Sequence, residues 1–136
     1  MATTRSDSPY PSGATTLIVA DNHDLLREST CSYLKREPDL RVLGEAKDGQ
    51  EAIELCRLHQ PDFVVMDVSM PRMNGMEATK LIKEEFPAIR VLIWSGYVSP
   101  AVISEARRVG ADGYFLKDSS LEELVVAVRA MHHGEP

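Results

Sequence analysis

Hydrophobic residues in this chain fall in short unbroken runs, separated by longer stretches in which apolar positions recur every three or four residues. The runs are Leu17-Ile18-Val19-Ala20, residues 40–46, Phe63-Val64-Val65-Met66, residues 89–94 and Gly113-Tyr114-Phe115-Leu116. Runs this short, bounded by Pro, Gly and Asp, predict strands buried on both faces, as in a parallel sheet. The stretches between them predict helices over 24–36, 49–58, 75–86 and 100–109, and a fifth that begins at Ser119 or Ser120 and frays at His132 and His133. Leu26, Thr30, Tyr33 and Leu34 mark the inner face of the first helix, and Ala52, Ile53, Leu55 and Cys56 that of the second. Met76, Thr79 or Lys80, Leu81 and Ile82 mark the third with a weaker pattern, and Leu121, Leu124, Val125 and Val128 mark the fifth. Pro38, Pro87 and Gly110 stop three of these helices, and Glu122 and Glu123 complete a capping box from either serine. Five strand–helix repeats with short connections predict an α/β, doubly wound, five-stranded parallel sheet with helices on both faces and right-handed crossovers. Spacing alone leaves the strand order open, and the flavodoxin-like order 2-1-3-4-5 is the expectation for a small domain of this kind.

Composition narrows the picture. The chain has 136 residues, 43% of them hydrophobic and 26% charged, which suits one globular domain with a core of ordinary size. Residues 1–14 are rich in Ser, Thr, Pro and Gly without an apolar period and read as a flexible leader, and 134–136 as a short tail. A net charge of -6 argues against these residues gripping nucleic acid, because that affinity comes mainly from basic side chains on phosphates. Cys31 and Cys56 lie inside helical patterns with no metal-ligand spacing, so a disulfide framework or zinc site is not expected, and the compartment is expected to be reducing. No apolar run reaches the roughly 18 residues of a membrane span, and no signal-peptide core is visible.

The candidate chemistry lies at the strand ends. The third run stops abruptly on Asp67 and then on Ser69-Met70-Pro71, and the first stops on Asp21-Asn22-His23-Asp24. In open α/β sheets the carboxyl ends of the strands border the ligand crevice. Strands one, three, four and five side by side would gather Asp21, Asn22, Asp67, Ser69, Ser95 and Lys117 there. Carboxylates with an amide or backbone oxygen suit Mg²⁺. A hydroxyl and an ammonium suit phosphoryl oxygens, which leaves Asp67 as a nucleophile able to form an acyl phosphate. Each residue also has a plain structural reading: Asp67 and Asp21 as helix or turn caps, Ser95 as a turn hydroxyl, and Lys117 as a solvated strand end.

Leu17-Ile18-Val19-Ala20-Asp21-Asn22-His23, the segment from Val65 to Gly75, Trp94-Ser95-Gly96 and the segment from Gly110 to Asp118 together resemble the receiver domain of two-component response regulators. The resemblance spans about residues 15–133. His23 after the acidic position and Gly113-Tyr114-Phe115-Leu116-Lys117-Asp118 resemble the NarL/FixJ subgroup, whose receivers precede a LuxR-type helix-turn-helix domain. The resemblance implies a CheY-like fold with Asp67 as phosphoacceptor from a sensor histidine kinase. It implies a Mg²⁺ site from Asp21, Asn22, Asp67 and the Ser69 carbonyl, with Ser95 and Lys117 on the phosphoryl group and Ser95 and Tyr114 as the switch pair. It further implies a cytoplasmic switch rather than an enzyme, able to form a homodimer. Transcription would be regulated through a DNA-binding domain not contained in this chain.

Three positions depart from that pattern. Asn22 stands where a second acid is usual, so two carboxylates and one ammonium leave the site with one net negative charge instead of two, and Mg²⁺ binding is expected to weaken. Ser95 stands for the commoner Thr and lacks the β-branch that restricts a rotamer. Asp118 stands where many receivers have Pro. His23 reads as the start of the first helix rather than a ligand. A phosphatase of the haloacid dehalogenase type would carry a second Asp two residues after the first, where this chain has Ser69. A flavodoxin would carry a phosphate loop after strand one, which is missing. A stand-alone or phosphorylation-independent receiver acting as a protein-binding module stays open because of Asn22.

Overall fold

The computed structural model describes residues 13–97, 99–117 and 121–132. The leader reading therefore falls outside the described residues except at Gly13 and Ala14. So do Asp118, the caps at Ser119 and Ser120, His133 and the tail.

Within them the chain alternates β1 (Thr15–Ala20), α1 (Asp24–Lys35), β2 (Leu40–Ala46), α2 (Gly49–His59) and β3 (Phe63–Asp67). It continues with α3 (Gly75–Glu85), β4 (Arg90–Ser95), α4 (Pro100–Arg108), β5 (Gly113–Leu116) and α5 (Leu121–His132). The strands form one parallel sheet in the order β2-β1-β3-β4-β5. This is the expected architecture, with boundaries shifted by one or two residues. β1 starts two residues before its apolar run, at Thr15 and Thr16. Thr16 is held there by reciprocal bonds with Asp62, each residue's backbone amide reaching the other's side-chain oxygen at 2.9 Å.

Strand alternation divides the interior into two layers. Leu17, Val19, Phe63, Val65, Leu92 and Trp94 point to the face covered by α1 and α5, where they meet Cys31, Leu34, Leu124, Val125 and Val128. Ile18, Ala20, Val64, Met66, Val91 and Ile93 point to the other face, against Ile53, Cys56, Ala78, Ile82 and Ala106 of α2, α3 and α4. A strand apolar on both sides reads as a continuous run because both its faces are covered. Among the described residues, no helix is long and apolar enough to cross a membrane.

Two helix faces differ from the sequence expectation. On α1 the buried positions are Arg27, Thr30, Cys31 and Leu34, while Leu26 is exposed and Tyr33 half-buried. Arg27 can take an inner position because its guanidinium donates to the Asp21 carbonyl at 2.8 Å and to Glu45 at 3.0 Å. On α3, Leu81 is exposed and Ala78 and Thr79 lie inside, Thr79 returning its hydroxyl to the Gly75 carbonyl at 2.7 Å. Hydropathy misplaces Leu26 on α1 and Leu81 on α3, because a polar residue with an internal partner can be buried where a leucine is not.

Candidate functional site

The chain leaves β1 toward one edge of the sheet and returns to enter β3 on the other side of β1, so the carboxyl ends of β1 and β3 flank the point where the connections diverge. Ala20 is paired with Met66 in register, which places Asp21 and Asp67 side by side one residue further on. β3 delivers Asp67 opposite Trp94, and β4 delivers Ser95 opposite Leu116. The Lys117 amide then donates to the Ser95 carbonyl at 2.7 Å, extending the ladder by one residue and holding the lysine at the same edge.

Lys117 bridges the two acids, its Nζ 3.0 Å from Asp21 Oδ2 and 3.3 Å from Asp67 Oδ2. Both carboxylates are buried and the lysine nearly so. Lys117 is thus an internal counter-ion rather than a solvated strand end. Among the described residues, Asp67 Oδ1 takes only a long 3.4 Å contact from the Ser69 amide, and the buried Oδ2 meets the Lys117 ammonium at 3.3 Å but no well-aligned donor. Burial pushes the Asp67 carboxyl above the ordinary carboxylate range, and the neighbouring Asp21 charge pushes the same way against the pull of Lys117. Burial acts on Asp21 too, but the His23 amide and Lys117 outweigh it and hold that carboxyl below the ordinary range. Two like charges sharing one cation are driven apart in this way.

The capping readings are only partly met. α3 is capped by Asn74, whose side chain accepts from the Glu77 amide, so Asp67 is free of that task. Asp21 accepts from the His23 amide at 2.9 Å and closes the turn into α1, whose N-cap is His23 itself. That turn brings the His23 ring back, with Nδ1 3.1 Å from Asp21 Oδ1 and 4.0 Å from Asp67 Oδ2. Asn22, one residue earlier, is exposed. His23 is therefore at the helix start as expected, but its ring joins the acid cluster. The available signal was its spacing, since residues i and i+2 of a tight turn can converge while i+1 points away.

Ser95 Oγ donates to the Tyr97 carbonyl at 3.0 Å, and Tyr114, half-buried on β5, donates its hydroxyl to that same carbonyl at 2.7 Å. The turn reading of Ser95 holds, and it ties the serine to Tyr114. A cleft of about 640 Å³ opens over Asp67, lined by His23, Ser69, Ser95 and Lys117 and by the exposed apolar side chains of Leu25 and Tyr97.

The loop from β3 to α3 is closely supported. Gly75 donates to the Val68 carbonyl, and a Cβ on Gly75 would lie 2.0 Å from the Asp67 carbonyl oxygen. Gly49 donates to the Met73 carbonyl at 2.9 Å, and Arg72, in the left-handed region at φ 62°, pairs with the buried Asp48 carboxylate. Nothing in the local sequence joined Asp48 to Arg72, because the pair spans two loops.

Residues 17–129 match the response regulator receiver domain. The chain is 42% identical over 118 residues to the transcriptional regulatory protein LnrK of Bacillus subtilis, and 33% identical over the same length to the transcriptional regulatory protein DegU of Brevibacillus brevis. Each match covers 87% of this chain, and 54% and 50% of those proteins, so the chain spans about half the length of these curated relatives. Among solved structures, a LuxR-family two-component response regulator from Aurantimonas sp. SI85-9A1 superposes with a TM-score of 0.84 at 36% identity, covering 90% of this chain and 87% of that one. The response regulator domain of Thermotoga maritima CheB superposes at 0.82 and 31% identity, covering 90% and 99%.

Proposed function

The chain belongs to the receiver domain family of two-component response regulators, with relatives in the LuxR/NarL group, and from that premise we propose that it is the phosphoacceptor module of a transcriptional regulator. In this reading Asp67 takes a phosphoryl group from the phosphohistidine of a sensor kinase. One carboxylate oxygen of Asp67 forms the new bond to phosphorus as the phosphorus–nitrogen bond breaks, and the imidazole departs with the bonding pair.

The observation that carries the reading is the Asp67 carboxylate: buried at a strand end, with an oxygen that has no aligned donor, and open to a cleft. Buried carboxylate oxygens ordinarily find well-aligned partners, so one met only by the shared Lys117 ammonium at 3.3 Å fits a site built for an incoming group. Asp21 and Asp67 with the Ser69 carbonyl are oxygen donors of the type that hold Mg²⁺, and Asn22 could add its amide only by turning in from its exposed position. Such an ion neutralises charge on the phosphoryl oxygens when bound. Lys117 counters the same charge, and the Ser95 hydroxyl offers them a donor. Ser95 drawn toward the phosphoryl group would leave the Tyr97 carbonyl to Tyr114 alone, which couples the site to β5. Receiver domains act as signalling switches, and self-association through α5 and DNA contact through a separate helix-turn-helix domain complete the proposal. Asn22 is what favours the other reading, a phosphorylation-independent docking module.

Acetyl phosphate with Mg²⁺ separates the two. Intact-mass analysis is expected to show one added phosphoryl group on the chain and none on Asp67→Asn. Equal labelling of both proteins would overturn the assignment of Asp67, and no labelling of either would favour the docking module.

A further inference from the structure

We infer that Asn74 is a site of spontaneous deamidation, held back while the loop between β3 and α3 is closed, and that its isoaspartate product displaces the Asp67 backbone. The chemistry at Asn74 stands by itself, whereas its consequence for phosphoryl transfer rests on the phosphoacceptor reading.

The chain has two asparagines, Asn22 and Asn74, and only Asn74 is followed by glycine. An asparagine loses its amide when the backbone nitrogen of the next residue attacks its side-chain carbonyl carbon. Base takes the proton from that nitrogen, the new carbon–nitrogen bond closes a five-membered imide, and ammonia leaves. Water then opens the imide, so that amide and water become acid and ammonia in sum. Opening at one carbonyl gives aspartate. Opening at the other gives isoaspartate, in which the main chain runs through the former side chain. A glycine after the asparagine turns freely and presents no side chain to hinder the attack. Asn22 is followed instead by His23, whose imidazole crowds the nitrogen and whose amide is committed to Asp21 at 2.9 Å.

Asn74 is exposed, so water and base reach it. The closed loop nevertheless withholds the other requirements. The Gly75 N–H donates to the Val68 carbonyl at 3.0 Å, which keeps the proton on the nitrogen that must attack. As the N-cap of α3, Asn74 accepts through Oδ1 from the Glu77 amide at 3.0 Å, which holds its side chain toward the first turn. The backbone at Asn74 is extended, with ψ 169°, and ring closure needs the Gly75 nitrogen rotated about that bond toward the side chain. Gly75 is buried and packed so closely that an added Cβ would lie 2.0 Å from the Asp67 carbonyl oxygen, leaving no space for the rotation. Reaction therefore waits for local opening, and its rate follows the population of the open loop.

The two products act differently. Aspartate at position 74 keeps the capping oxygen, adds a negative charge at the positive end of α3 and leaves the main chain unchanged. Isoaspartate inserts one extra carbon into the main chain beside Gly75. That carbon must move either Gly75 or the Asp67 carbonyl against which it is packed.

Peptide mass mapping of the chain in mildly alkaline buffer, folded and in denaturing guanidinium, tests this together with hydrogen exchange at the Gly75 amide. Conversion at Asn74 is expected to be at least about ten-fold faster in the denatured chain, with Asn22 slower than Asn74 there. In guanidinium below the unfolding transition, conversion of the folded chain should rise in step with Gly75 exchange. No conversion of the denatured chain, or equal rates in the folded and denatured chains, overturns the inference. After chromatographic separation and refolding, the isoaspartate fraction should take label from acetyl phosphate at least about ten-fold more slowly than the fresh chain, while Asn74→Asp stays within about three-fold of it. An isoaspartate fraction that labels like the fresh chain overturns the displacement of Asp67. Fresh chain that takes no label removes the phosphoacceptor reading and leaves the chemistry at Asn74 in place.

Discussion

The Tyr114 hydroxyl lies 2.7 Å from the Tyr97 carbonyl, joining β5 to the loop after β4 across seventeen residues of sequence. Ser95 donates to the same carbonyl at 3.0 Å. Among the described residues, removing either hydroxyl leaves the acceptor one donor, and removing both leaves none. Ser95→Ala and Tyr114→Phe should each cost about 1 kcal/mol, and the double variant should exceed their sum by at least about 0.5 kcal/mol. Urea unfolding of the four proteins measures that term. Strictly additive costs would show that the two residues are not coupled through Tyr97.

Gly75 stands where a side chain cannot, because its Cβ would meet the Asp67 carbonyl oxygen at 2.0 Å and Met66 Cγ at 3.0 Å. Gly75→Ala should destabilise the fold by about 2 kcal/mol and slow acetyl phosphate labelling, since the backbone that must yield carries Asp67, the proposed acceptor. Gly96→Ala, with no atom within 4 Å of its Cβ, is the control for a substitution near the site. Similar unfolding midpoints for the two would contradict the close packing at Asp67.

Asp48 is fully buried, caps α2 by accepting from the Glu51 amide at 2.9 Å, and pairs with Arg72. Burial raises its carboxyl, but the Glu51 amide and Arg72 outweigh it and hold it below the ordinary range. A carboxylate depressed in the folded state contributes stability above its unfolded value, near 4, and loses it as pH falls through the folded one. Asp48→Ala should therefore cost about 1–2 kcal/mol at pH 7, and its deficit against wild type should shrink below pH 4. A deficit that stays constant from pH 7 to pH 3 would exclude the ionised cap. Arg72→Gly removes the partner while relieving the left-handed backbone, and should cost less than Asp48→Ala.

Val126 projects from α5 with 62% of its surface exposed, while Leu124, Val125 and Val128 are buried. Beryllofluoride-treated protein is expected to self-associate more strongly than untreated protein, and Val126→Glu to remove the difference. Identical sedimentation of both states over a wide concentration range would separate α5 from any phosphorylation-gated dimer.

Cys31 and Cys56 have their thiols pushed up to about 12, chiefly by burial, and both are fully enclosed. A thiol probe should therefore react with them only through unfolding, and no faster than amide exchange in α1 and α2. Rapid labelling of the native chain would contradict their burial.

Local pattern alone determined the alternation of strands and helices, the parallel sheet and the strand ends that carry Asp21, Asp67, Ser95 and Lys117. A strand covered on both faces must be apolar throughout, and a polar residue closing such a run has only the edge of the sheet to occupy. Hydropathy could not place Arg27 on the inner face of α1 or decide between Thr79 and Lys80 on α3, because burial of Arg27 and Thr79 depends on acceptors supplied by tertiary structure and by helix geometry. Tertiary structure alone decided that Lys117 sits between two acids, that His23 rather than Asn22 turns toward them, and that the Tyr97 carbonyl receives the hydroxyls of both Ser95 and Tyr114. Hydrophobic periodicity reports which side of an element is dry, whereas these contacts depend on distances between elements, which register and packing set only when the whole sheet is assembled.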